Sequence, residues 1–222
     1  MKKVAQLLFT SFFSLAASAQ DKPLQISLKA GVTFPKIISS KDAAAYDGVT
    51  INESNINTSF YVGATADIAL SKNIMFQPGF SVVGKGTKAA YSSFLPNSNT
   101  TGKLRLLYFE IPLNMVTYIP VGKDCVFFGL GPYLGVALSG TGKYTFVNDD
   151  TLRPEQENIK FGSDKDFNRF DFGGNALVGY QLANGLNLHG GISASALKIS
   201  NSRDAYLKAK NLVYSVGFGF SL

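Results

Sequence analysis

Apolar and polar residues alternate one by one along most of this chain. In 212–222, Leu212, Tyr214, Val216, Phe218, Phe220 and Leu222 share one parity, with Val213, Ser215, Gly217, Gly219 and Ser221 on the other. In 24–34, Leu24, Ile26, Leu28, Ala30, Val32 and Phe34 oppose Gln25, Ser27, Lys29, Gly31 and Thr33; in 60–70, Phe60, Val62, Ala64, Ala66, Ile68 and Leu70 oppose Tyr61, Gly63, Thr65, Asp67 and Ala69. A repeat of two is that of a β-strand, whose successive side chains point to opposite faces. The same period recurs in 125–138, 170–182 and 186–198, and less regularly in 74–84 and 105–119. In 105–119, Leu104 and Leu106 have the opposite parity to Leu107, Phe109, Ile111, Leu113 and Met115, a slip that a β-bulge near Leu106 would explain. The pattern predicts eight strands and no helix.

Their connections differ in length. Ser71–Asn73, Pro120–Asp124 and Ala183–Gly185 are short, whereas 35–58, 85–102, 140–168 and 200–208 are long. Short turns at one end and long loops at the other are the pattern of an eight-stranded antiparallel up-and-down transmembrane β-barrel, with periplasmic turns and extracellular loops.

A soluble lipocalin-type barrel, the alternative, also has eight strands but hides its apolar face inside. Here the second face is mostly Gly, Ser, Asn, Thr and Gln, with few Lys or Glu. A water-exposed face normally uses long charged side chains, while small polar residues suit a narrow barrel interior. Lys29, Asp67, Glu110, Asn114, Asp171, Asn175 and His189 are therefore candidate interior residues. The apolar face runs for about 9–11 residues per strand, enough for a tilted membrane crossing. Phe34, Phe60, Phe170 and Tyr214 lie toward the long-loop end, and Tyr180 and Phe220 toward the short-turn end, where aromatic girdles belong.

Composition fits a lipid solvent. Of 222 residues, 45% are hydrophobic and only 16% charged, against roughly a quarter in soluble domains. Residues 1–19 read as a cleaved signal peptide, with Lys2-Lys3, an apolar stretch from Leu7 to Ala17, and Ala17-Ser18-Ala19 as the cleavage site; residues 20–222 form the barrel domain. Losing Lys2 and Lys3 lowers the net charge of +6 to +4, and the basic residues are scattered, so nucleic acid is not an expected partner. A single Cys125 excludes an internal disulfide and reads as a buried small residue at a strand start.

Three stretches carry a family resemblance. Leu107-Tyr-Phe-Glu-Ile-Pro-Leu-Asn-Met115 resembles the Tyr-(Leu/Phe)-Glu-Ile-Pro-Leu motif of PorT-like outer-membrane β-barrel proteins of Bacteroidetes type, often labelled "porin family". Gly129-Leu-Gly-Pro-Tyr-Leu-Gly135, and Asp171-Phe-Gly-Gly174 with Gly179-Tyr-Gln181, resemble that family's following strands in the right order. The resemblance implies an outer-membrane location, and in some members a part in protein secretion or gliding. Such barrels commonly end in an aromatic residue that the barrel assembly machinery reads, whereas this chain ends Phe220-Ser221-Leu222.

The chemistry is sparse. Barrel hydrolases need a His paired with Ser or Asp, and the one histidine, His189, is expected inside, near the periplasmic end, bonded to Asn or Asp neighbours. Glu110 reads either as a contact within a secretion apparatus or as an interior carboxylate paired with Lys29 or Arg105. The acids of 140–168 (Asp149, Asp150, Glu155, Glu157, Asp164 and Asp166) match no metal loop and read as a solvated surface, while Gly84-Lys-Gly86 and Gly140-Thr-Gly-Lys143 are too short to cradle phosphate. No cofactor, metal site or catalytic group is expected. The expected function is structural or interactive: a small barrel in outer-membrane lipid, accessory to a secretion or envelope complex, with a narrow transport pore as a further alternative.

Overall fold

The structure, a computed structural model, describes residues 24–38, 49–93, 99–148, 151–163, 165–198 and 210–222. Ten strands are present among them: β1 (Gln25–Ile38), β2 (Val49–Asn55), β3 (Ser59–Ala69), β4 (Ile74–Ser93), β5 (Asn99–Val121), β6 (Asp124–Asn148), β7 (Thr151–Asn158), β8 (Phe170–Gln181), β9 (Leu186–Ser195) and β10 (Lys210–Ser221). Eight of them close a ring in the order β1-β3-β4-β5-β6-β8-β9-β10, every neighbouring pair antiparallel. First and last strands meet from Ser27↔Ser221 to Ile38↔Lys210. Closure leaves no unpaired strand edge for hydrocarbon to meet.

The predicted faces hold throughout. Leu28, Val62, Phe80, Ile111, Leu130, Leu134, Phe172, Leu188 and Phe218 point outward, Leu130 with 69% of its surface free. Of the girdle aromatics, Phe60, Phe170, Tyr214, Tyr180 and Phe220 are exposed on this outer face, while Phe34 is half-buried beside Tyr214. Tyr180 donates to Asp124 at 2.8 Å at the short-turn end.

The long connections are not all loops. The β4–β5 ladder continues to Ser92↔Asn99, so most of 85–102 is strand. Likewise β6 runs 25 residues to Asn148 and pairs with β7, so that the end of β6 and β7 together occupy more than half of 140–168. Segment 35–58 contributes the end of β1 and all of β2, which pairs with β4. A sheet of five strands, β2-β4-β5-β6-β7, thus stands above the long-loop rim. At 23 residues, β5 is about twice the 9–11 residues that a tilted membrane strand needs. The connection between β5 and β6 is shorter than expected, only Gly122-Lys123, with Gly122 at φ 65° as a primed hairpin turn requires.

The predicted bulge lies beside Leu106, but on the partner strand. Leu107 pairs with Ser139 and Tyr108 with Ala137, so the extra residue is Leu138 on β6. Leu106 keeps its inward parity and is buried with Tyr108 and Ala137, packed by Leu104, Ile159 and Phe161. That cluster fills the long-loop end of the lumen. Cys125 opens β6 as expected but is half-buried, and it is free. The proposed signal peptide, the tip residues Asp149, Asp150 and Asp164, and the 200–208 connection lie outside the described residues.

Candidate functional site in the barrel lumen

Inward-facing side chains from opposite walls of so narrow a barrel must meet. Lys85 on β4 shares the parity of Gln77, Ser81 and Val83, and its side chain is wholly buried. Its ammonium lies 2.5 Å from Glu110 Oε1 of β5 and 2.7 Å from Asp171 Oδ2 of β8. It also sits over the rings of Tyr108 and Tyr133, 4.9 and 4.6 Å from their centroids. Asp171 Oδ2 further accepts from Ser195 Oγ at 3.0 Å, Tyr133 Oη at 3.2 Å and Asn211 Nδ2 at 3.3 Å. One cation and two carboxylates, with partners from β4, β5, β6, β8, β9 and β10, thus span the lumen. Taking such charges out of water is costly unless they are paired and hydrogen-bonded, and Lys85 supplies the pairing.

Glu110 therefore takes Lys85, not Lys29 or Arg105, as its partner. Arg105 has the outward parity of Leu107 and is exposed, so it cannot reach the lumen. Lys29 points inward but donates to Gln77 Oε1 at 2.8 Å. Nor does Gly84-Lys85-Gly86 end a strand, since it lies well inside β4. The resembling motif contributes Tyr108 and Glu110, both against Lys85.

A second polar cluster lies toward the short turns. Asp67 accepts from Gln77 Nε2 at 2.5 Å and from Tyr118 Oη at 2.8 Å. His189, fourth residue of β9, is buried between Asn187 Oδ1 at 2.8 Å from Nδ1 and Tyr61 Oη at 2.5 Å from Nε2. Because Oδ1 can only accept, Nδ1 carries the proton and Nε2 accepts from the Tyr61 hydroxyl. Both nitrogens are satisfied, and neither partner is a Ser or Asp. Between the clusters is a cavity of about 130 Å³, lined by Lys29, Glu110, Asn114, Asn175, His189 and Ser193 among others. Asn114 Oδ1 and Asn175 Oδ1 have no hydrogen-bond partner among the described residues, and a cavity of this volume is large enough to admit water that would supply one.

Glycines make room for the large side chains that cross the lumen. A Cβ on Gly173 would come within 2.7 Å of the Tyr133 ring, and one on Gly31 within 2.7 Å of Tyr61. Of the acids in 140–168, Glu155 and Glu157 are exposed on β7, and Asp166 accepts from the Lys160 backbone at 3.0 Å.

A closed ring of eight antiparallel strands, apolar outside and filled with paired polar groups inside, defines a transmembrane β-barrel of the outer-membrane type. The chain belongs to the family described as outer membrane protein beta-barrel domain, whose model matches residues 17–201, and it is an outer-membrane protein. Its strand path is similar to that of Ail, the attachment invasion locus protein of Yersinia pestis, at 10% identity and a TM-score of 0.44, over 90% of this chain and 100% of that one. It is also similar to Neisserial surface protein A (10%, 0.42, 88% and 96%) and to OprG from Pseudomonas aeruginosa (12%, 0.37, 90% and 97%). No curated protein sequence matches the chain.

Proposed function

We propose that this barrel is a structural or interaction protein of the outer membrane, accessory to a secretion or envelope complex and PorT-like in kind, rather than a general diffusion pore or an enzyme. The observation that carries the reading is the filled lumen. The Lys85–Glu110–Asp171 network and the apolar cluster around Leu106 cross the lumen, and among the described residues the cavity between the two polar clusters measures about 130 Å³. What such a barrel offers to other molecules is its outside: the five-stranded sheet above the rim and the tips that join it. His189, with Asn187 and Tyr61 on its two nitrogens, has the partners of a structural histidine. Residues 1–19 act as a cleaved signal peptide, and the barrel assembly machinery inserts the mature chain.

Planar-bilayer recording on the refolded protein tests this reading. Silence at moderate voltages is the expected result. A steady conductance that scales with solute size would make the chain a narrow pore and overturn the proposal. Sequencing of the membrane-inserted protein is expected to start at Gln20.

A further inference from the structure

Four cations far apart in the chain come together on the outer face of the extended sheet. Lys88 pairs with Lys103, and Lys103 pairs with Lys143, a straight row across β4, β5 and β6. Arg105 follows on the same face of β5, opposite Gly86 and Thr141. Directly opposed residues have Cβ atoms about 5 Å apart, and like charges so placed destabilise a sheet. Lys88, Arg105 and Lys143 are exposed and Lys103 partly so. Among the side chains that the structure describes, no carboxylate forms an ion pair with any of them. Glu155 and Glu157 of β7 pair with Tyr144 and Gly142, on the opposite parity to Lys143, whose own neighbour is Gln156. Desolvation and the charges of Arg105, Lys88 and Lys143 push the Lys103 ammonium below its ordinary pKa. A row of this kind calls for an anion.

Its height identifies the anion. On β5 the lipid-facing apolar run ends at Leu107, with Arg105 two residues and Lys103 four residues beyond it. Those steps are about 7 and 13 Å along the strand, or about 5 and 10 Å along the membrane normal at the tilt of such barrels. That is the layer of lipid headgroups, just outside the hydrocarbon. Leu138 on β6 ends its apolar run at the same level, below Thr141 and Lys143. A guanidinium grips phosphate oxygens in pairs, and lysines keep their stems along apolar surface while their ammonium groups reach the polar layer.

We propose that Lys88, Lys103, Arg105 and Lys143 form a binding rim for the phosphate groups of anionic lipids in the outer leaflet. The bound lipid lies against Leu107 and Leu138 with its chains and against the cation row with its head. It relieves the like-charge repulsion and fixes the height of the long β4–β5–β6 sheet relative to the membrane.

The full chain, refolded into nanodiscs of phosphatidylcholine mixed with a bisphosphorylated glycolipid, provides the test, with retained lipids counted by native mass spectrometry. The wild type is expected to keep the bisphosphorylated lipid in preference to phosphatidylcholine. Each cation removed should weaken that preference about fivefold, from about 1 kcal/mol per charge near the headgroups, so the Lys88→Gln, Lys103→Gln, Arg105→Gln, Lys143→Gln variant should lose it. Lys123→Gln, in the short turn, should keep it. Heat-modifiable migration reports that each barrel is folded, and Lys103→Gln alone serves if the fourfold variant does not refold. An unchanged lipid preference in a folded variant overturns the proposal, and so does an equal loss in Lys123→Gln. Displacement of the lipid by inorganic phosphate also overturns it, because the rim would then be a soluble-anion site.

Discussion

Replacing Lys85 by Met removes the one cation among the charges at the centre of the lumen while nearly preserving its volume. Glu110 and Asp171, at 2.5 and 2.7 Å from the ammonium, are then left facing each other without compensation. Ser195, Tyr133 and Asn211 still donate to Asp171, so the loss is that of the ion pairs rather than of every partner. Removing one member of a buried pair costs about 3–5 kcal/mol. Glu110 also lines the cavity, which is large enough to admit water, and this places the expected loss near the lower figure, about 3 kcal/mol. Urea unfolding of the barrel refolded in lipid vesicles, followed by heat-modifiable migration, measures it. The triple variant Lys85→Met, Glu110→Gln, Asp171→Asn removes all three charges together. It should recover most of the loss, because replacing a whole buried set is often neutral. A single variant as stable as the wild type, or a triple variant no better than the single, would refute the reasoning.

Two further perturbations bear on the inside and the outside of the wall. His189→Ala breaks the bonds to Asn187 and Tyr61 and should cost about 1–3 kcal/mol in the same unfolding assay. It should change no catalytic rate, and a hydrolase activity abolished by it would reverse the structural assignment. Leu130→Arg puts a charge on the lipid face of β6 at one of its most exposed positions, and should cost about 2–4 kcal/mol if that site is near the bilayer midplane; a gain in stability would place Leu130 outside the hydrocarbon.

What the chain alone determines is which side of each strand meets lipid. In 24–34, 60–70 and 212–222 the alternation names every outward residue, because a pleated backbone sends neighbours to opposite faces whatever the tertiary context. Closure into eight strands follows from the strand count and the alternating loop lengths. The alternation stops at the membrane boundary, however. In water neither face of a β-ribbon has to be apolar, so Lys88, Lys103 and Thr141 look like loop although their backbones stay paired. Lys85 was hidden by the same boundary. Between Gly84 and Gly86 it resembles the first exposed residue of a turn, and only its parity with Gln77, Ser81 and Val83 marks it as inward.

Partnership is what the tertiary structure decided. Parity alone allows Glu110 to meet either Lys29 or Lys85, since both face the lumen. Inter-strand register and the tilt of the ring choose between them by setting which inward residues share a level. The same register brings Lys88, Lys103 and Lys143 side by side from positions scattered along the chain. Side-chain period is local and so is legible in sequence, whereas level around a barrel is a property of all its strands at once.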